Sequence, residues 1–157
     1  VHKHHFLRRA IASGRFDAIL PSYDYHPLRT TALPVMELAA GRGMGVVNGS
    51  PYSAGLLAGI DLDVAAKRRR PGEAELARAR QLWEFCRERS IDLGVLAVQF
   101  SLRCPAVHAT LVGPRTAGEV EGNIRHATTE LPADTWEDLD YFVADLQPPA
   151  SPGGESA

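Results

Sequence analysis

Cysteine, long apolar runs and net charge are all scarce in this 157-residue chain, and each shortage excludes something. Cys86 and Cys104 come without a CxxC pair or a Cys/His ligand spacing. Both are therefore read as buried free thiols, with a disulfide or a metal site as the lesser alternative. No stretch approaches the roughly 20 apolar residues that a membrane-spanning helix needs. Net charge is −2 with acid and base interleaved, so nothing pulls the chain in bulk toward nucleic acid or a lipid surface. The one basic run, Lys67-Arg68-Arg69-Arg70, is expected to be a solvated loop. No apolar segment follows Val1-His2-Lys3-His4-His5-Phe6, as a secretory leader would require, and a cytoplasmic location is the expectation. His2, His4 and His5 are read as a solvated cluster rather than a metal site. The sequence also lacks an initiator Met, and the expectation is that it is part of something longer.

What is present is an ordinary globular balance, 45% hydrophobic and 23% charged, enough for one sizeable core. Three short apolar runs read as buried strands: Ala18-Ile19-Leu20, Gly45-Val46-Val47 and Ala109-Thr110-Leu111-Val112. Helical periodicity fills the intervals. A first helix runs through Leu7 and Ile11 and closes at Gly14. A second carries Leu33, Met36 and Ala40, with Thr31 as cap and Gly41 or Gly43 as stop. A third carries Leu76, Ala79, Trp83 and Cys86, a fourth Val95, Val98 and Leu102, and a fifth Val120 and Ile124. The last opens on a capping box, Asp134 with Glu137, and continues through Trp136, Leu139, Val143 and Leu146. Trp83 and Trp136 are expected in the core. Residues 147–157 have too few apolar groups to pack and are expected to be a disordered tail.

Strands that are continuous apolar runs, alternating with helices, indicate an α/β fold with parallel strands. Ligands in such folds collect at the carboxyl ends of the strands. The segments to inspect are Pro21 to Leu28, Asn48 to Gly59 and Gly113 to Asn123. Gly41-Arg42-Gly43-Met44-Gly45 precedes a strand instead of following one. It reads as a helix stop, and no dinucleotide-type glycine fingerprint follows the first strand, which disfavours a small Rossmann-type domain. Tyr25-His26-Pro27 is open between a substrate contact and a simple strand end. Three strands alone would leave two unpaired edges.

Three segments, in this order and spacing, resemble the aldo-keto reductase family. Ser22-Tyr23-Asp24-Tyr25-His26-Pro27 is similar to the motif after the family's sixth barrel strand. Ser50-Pro51-Tyr52-Ser53-Ala54-Gly55-Leu56-Leu57-Ala58-Gly59 looks like the Ser-Pro-Leu-x-x-Gly-Leu-Leu loop after strand seven. Leu111-Val112-Gly113-Pro114-Arg115 through Glu119-Val120-Glu121-Gly122-Asn123 resembles strand eight and its helix, and Gln99-Phe100-Ser101-Leu102 fits the preceding helix. Within the family the likeness is to the branch of L-galactose, L-fucose and D-threo-aldose dehydrogenases. The resemblance implies that residues 1–146 are the carboxy-terminal half, about three strands with their helices, of a (β/α)8 barrel. Such a barrel takes eight strands and about 250 residues.

The resemblance further implies an oxidoreductase half that binds NAD or NADP, in a parent enzyme moving a hydride between the nicotinamide and a small carbonyl or sugar. The implied cofactor contacts are Ser22, Ser50, Pro51, Tyr52, Ser53, Gly55, Leu56, Gly113, Arg115, Thr116, Glu119 and Asn123. Their chemistry is apt: Ser50 and Ser53 supply hydroxyls, the Gly113 to Thr116 turn opens a helix toward phosphate oxygens, and Arg115 adds a positive charge. Asn123 falls at the family's adenine-contacting Asn, and Ser22 where many members hold the nicotinamide amide with Gln. Four positions depart. Gly49 replaces an aromatic residue that stacks on the nicotinamide, Gly122 an adenine-binding Glu, and Gly113 and Glu119 the Lys and Arg that clasp a 2′-phosphate. Glu119 would repel that phosphate, which tilts the choice toward NAD. The family's Asp, Tyr, Lys and His catalytic set would precede residue 1, so no catalytic residue is assigned. The alternative is a catalytically inactive remnant that binds a nucleotide or a partner.

Overall fold

A computed structural model describes residues 3–59 and 61–146. In it the apolar runs form three short strands, β1 (Ala18–Ile19), β2 (Gly45–Gly49) and β3 (Ala109–Leu111), in the order β1-β2-β3 and all parallel. Ile19 lies opposite Val46, Asn48 opposite Thr110, and Gly49 opposite Leu111. The sheet places one face against helices and leaves the other open. Ile19, Val46 and Asn48 point into the buried layer, whereas Ala18, Ala109 and Leu111 are exposed on the opposite face.

The helices are α1 (His4–Ser13), α2 (Leu33–Ala40), α3 (Leu62–Arg69), α4 (Glu73–Glu88), α5 (Leu93–Leu102), α6 (Ala117–Thr128) and α7 (Ala133–Leu146). Helix α1 buries Leu7 and Ile11 and stops at Gly14, whose left-handed φ of 62° is the usual helix terminus. The core lies between sheet and helices, around Met36, Val46, Leu57, Leu82, Leu96 and Leu139, with Cys86 and Cys104 as free buried thiols within it. Helix α5 is apolar nearly all round and is buried from Leu93 to Val98. It is buried nearly all round, so the stripe of Val95, Val98 and Leu102 expected from the sequence marks only part of its packed surface.

Several expectations are corrected. Thr31 does not cap α2; the cap position is Ala32, drawn into the core where its N–H donates to Asp24 O at 3.0 Å. Asp134 lies inside the first turn of α7, not at its cap, where its charge still suits the positive end of the helix. The basic run does not belong to a loop: Asp61 caps a helix that contains Lys67, Arg68 and Arg69, accepting from the N–H groups of Asp63 and Val64 at 2.9 and 3.0 Å. Trp83 and Trp136 are half-buried at the core margin, and Trp136 carries the Arg103 guanidinium 4.5 Å from its ring centre. Leu102, Val120 and Ile124, expected on buried stripes, are exposed. His4 is not part of a solvated cluster but meets buried Asp24 at 3.1 Å. The expected tail, residues 147–157, and His2 lie outside the described residues.

Candidate functional site

The carboxyl ends of the strands bring the three motif segments onto one rim. Pairing between the first two continues beyond the strands, with Ser22 bridged to Gly49 and Tyr23 N donating to Gly49 O at 3.2 Å. The Ser22 and Ser50 hydroxyl oxygens then stand 3.1 Å apart, and Ser50 N donates to Leu111 O at 3.2 Å. Segments far apart in sequence thus share a polar edge. Gly49 sits in its middle for a packing reason. A Cβ there would come 3.0 Å from Ser22 Oγ and 3.1 Å from Leu20 Cδ2, so no stacking aromatic fits without displacing Ser22.

The Ser50 to Gly59 loop is tightly wound. Ser50, Ser53 and Ala54 take φ values of 64°, 48° and 55°, and Gly55 follows at 94°. Left-handed backbone at residues with a Cβ costs on the order of 1–2 kcal/mol each, so the loop must be held. Leu56 and Leu57 anchor it in the core. Arg69 Nε donates to Ser53 O at 2.9 Å, while its two terminal nitrogens clasp Glu75 at 3.0 and 2.9 Å. Both side chains are largely buried, and the forked geometry suits a carboxylate. Burial also changes which loop residues could touch a ligand. Ser53 is fully buried and its hydroxyl donates to Glu75 Oε1 at 3.4 Å. Pro51 and Leu56 are buried as well. Ser50, Tyr52 and the backbone at Gly55 remain at the surface.

Helix α6 begins at the same rim. Thr116 caps it, accepting from Glu119 N at 3.2 Å. The Glu119 carboxylate folds back over this terminus: Arg115 N donates to its Oε2 at 2.6 Å, and the Arg115 guanidinium approaches Oε1 at 3.3 Å. The donation from Arg115 N–H, helped by the guanidinium, holds the Glu119 carboxyl below its ordinary range. The turn from Gly113 to Thr116 is therefore not the open anion cradle expected of it; an acidic side chain of the chain itself already lies there.

One turn further on, α6 meets the loop. Tyr52 Oη donates to Asn123 Oδ1 at 2.8 Å and stands 2.8 Å from His126 Nδ1. His126 Nε2 faces Asp92 Oδ2 at 3.8 Å, and Asp92 caps α5 through the N–H groups of Gly94 and Val95. Burial, with Asp92 adding to it, pushes the Tyr52 hydroxyl up to about 12. Burial lowers His126 against the opposing pull of Asp92. The sequence motifs named Tyr52 and Asn123 but missed His126, Asp92, Arg69 and Glu75. One signal was legible, since Asn123 and His126 are three apart and share a helical face.

A cleft of about 520 Å³ lies on the helical side, lined among others by Tyr25, Arg103, Cys104 and Asp140. Its Arg103–Asp140 ion pair and aromatic wall belong to the core margin. Tyr25 packs on Phe100 there, and His26 is turned inward, accepting from Leu28 N and donating to Tyr23 O; both side chains are buried in the connection after β1, beyond its end at Ile19. Among the described residues no group of His, Cys, Asp or Glu is arranged to hold a metal ion, and no helix is long and apolar enough to cross a membrane.

These features define a parallel α/β unit with a polar, loop-built rim at the carboxyl ends of its strands. The family model for the aldo/keto reductase family matches residues 7–144, and the chain belongs to that family. The chain is 28% identical over 142 residues to D-threo-aldose 1-dehydrogenase of Pseudomonas sp, covering 85% of this chain and 41% of the relative. It is 27% identical over 141 residues to pyridoxal 4-dehydrogenase of Microbacterium luteolum, covering 88% and 41%. Against L-galactose dehydrogenase of Arabidopsis thaliana it is 29% identical over 122 residues, covering 77% and 37%. The glycerol dehydrogenase structure from Gluconobacter oxydans superposes with a TM-score of 0.61 at 20% identity, over 88% of this chain and 46% of that one. The fold is thus part of an aldo-keto reductase barrel, and the chain spans about two-fifths of the length of the curated relatives it matches.

Proposed function

We propose that this chain is the dinucleotide-holding part of an NAD(P)-dependent aldo-keto reductase acting on a small carbonyl or a sugar-like alcohol. The observation that carries this is the rim: Ser22 with Ser50, and Tyr52 with Asn123, bring all three motif segments into hydrogen-bond contact. The residues present fit such a ligand in part. The paired Ser22 and Ser50 hydroxyls leave one O–H free to donate at one end, and at the other the Asn123 side chain bonds through its oxygen to Tyr52, its nitrogen having no partner among the described residues. Ser50 and Gly55 lie half-buried between them, their backbone N–H groups spent on Leu111 O and Tyr52 O. When bound, the nicotinamide supplies hydride chemistry; the side chains described here bind and orient. On this reading the chain by itself holds the coenzyme without turning over substrate. The sheet face left bare at Ala18, Ala109 and Leu111 favours the same view.

Glu119 bears on the choice of dinucleotide. Its carboxylate sits on Arg115, where a 2′-phosphate would compete with it, so NAD is the better ligand. The pair is exposed and worth little by itself. Isothermal titration of the chain with NAD+ and NADP+ tests both statements. Saturable binding is expected, tighter for NAD+, with Glu119→Gln narrowing the gap by about tenfold through lost charge repulsion. No heat with either dinucleotide at millimolar concentration would sink the proposal.

A further inference from the structure

The contact between the loop and α6 has a direction. Tyr52 has one hydroxyl proton, and it goes to Asn123 Oδ1, a group that can only accept. The second partner, His126 Nδ1 at 2.8 Å, must then be a donor toward the Tyr52 oxygen. The chain of bonds runs His126 Nδ1–H to Tyr52 Oη–H to Asn123 Oδ1. It fixes a tautomer, because neutral imidazole must carry its proton on Nδ1 and leave Nε2 toward Asp92, 3.8 Å away. It also fixes the Asn123 carboxamide, since the oxygen is engaged and the Nδ2 side faces away from Tyr52.

Packing and backbone contacts hold the imidazole in this place, with the Asp92 carboxylate facing Nε2 as the one group that favours a proton there. Gly94, at the capped start of α5, admits the imidazole: a Cβ there would come 2.3 Å from His126 Cε1. The backbone of α6 is tied at the same point by Gln99, whose Nε2 donates to His126 O and Ala127 O at 3.0 and 2.9 Å. Tyr52 meets the His126 ring edge-on at 5.8 Å between centroids. The resemblance places an aliphatic residue where this chain has Tyr52, so the family motif does not supply the relay.

We infer that Tyr52 and His126 are positioning residues for base recognition: their relay locks the Asn123 carboxamide so that its N–H group is presented to a hydrogen-bond acceptor on the purine end of the ligand. The inference rests on the dinucleotide reading above. It couples the ligand's two ends as well, since Tyr52 belongs to the loop that would face the phosphates and Asn123 to the helix that would face the base.

The first test needs no ligand. In 15N spectra of the chain at pH 8, the His126 imidazole is expected as the Nδ1–H tautomer, the minor form of free histidine. A neutral Nε2–H tautomer would reverse the relay, with Tyr52 donating to His126, and would overturn the inference. The second test separates the ends of the ligand by titrating NAD+ and nicotinamide mononucleotide, which lacks the adenosine. Tyr52→Phe and His126→Leu should each weaken NAD+ about five- to tenfold, the effect of losing one or two hydrogen bonds, and leave the mononucleotide within twofold. His126→Asn, which keeps an N–H donor near the Nδ1 position, should hold NAD+ within about threefold. Equal weakening of both ligands, or unchanged NAD+ binding in Tyr52→Phe, would overturn it while leaving the dinucleotide reading intact. If the unaltered chain binds neither ligand, that reading fails and this one with it.

Discussion

His26 is 1% exposed, with its ring held between Tyr23 O and Leu28 N. Burial, then the Arg29 charge, lower it from its ordinary 6.5 to about 4, with the Tyr23 carbonyl pulling the other way. A base whose folded-state value is depressed binds fewer protons in the folded than in the unfolded chain between those two values. Stability therefore rises with pH through that window and is level above about 6.5. The full difference corresponds to roughly 3 kcal/mol. Urea unfolding at pH 4, 5.5 and 7 should show that loss on acidification, and His26→Gln should flatten the profile. A wild-type midpoint unchanged between pH 7 and pH 4 would contradict it. The sequence placed His26 after the first strand but left its role open, because burial of a side chain depends on elements far from it. Ser53 illustrates the same limit. Its hydroxyl looked available in the motif, yet Glu75, from a helix beyond the loop, captures it.

At the scale of elements, α3 is the instructive case. Its residues, Leu-Asp-Val-Ala-Ala-Lys-Arg-Arg, give little amphipathic pattern, and a cluster of cations suggests solvent. The helix forms because Asp61 caps its start, its basic last turn suits the negative end of the dipole, and Arg69 is drawn onto Glu75 of α4. Removing the cap should matter. Asp61→Ala is expected to cost about 1 kcal/mol and to raise amide exchange selectively across residues 62–69. Uniform exchange changes throughout the chain would argue that the cap is not local. Helices α1, α2 and α7 were legible because an apolar stripe meets one core. Helix α6 was legible as a helix yet misjudged in its packing: Val120 and Ile124 share the expected face, but the face is exposed. Period reveals that a helix has an apolar side, not that this chain supplies the surface to cover it.

On the scale of the molecule, the helical side of the sheet carries the stability. Leu96 is fully buried there, while Leu111 on the other face is 51% exposed. Leu96→Ala should lower unfolding free energy by about 2–5 kcal/mol through lost burial and cavity formation. Leu111→Lys should stay within about 0.5 kcal/mol and reduce binding of a hydrophobic dye to the open face. Denaturant titration of the two variants side by side decides it, and equal losses would show that the second face is covered after all.

From its sequence alone the chain determined its class: apolar runs alternating with helical periods dictate parallel strands with helices between, and three loop motifs mark the carboxyl ends of those strands. Those are local properties, set by propensity, period and turn chemistry. Only the tertiary structure decided which side chains of the motifs reach the surface. Burial of Ser53 and Leu56 and the Tyr52 contact with Asn123 and His126 each join segments distant in sequence. Hydrogen bonds have direction and cores have volume, and neither is specified until the elements are in place.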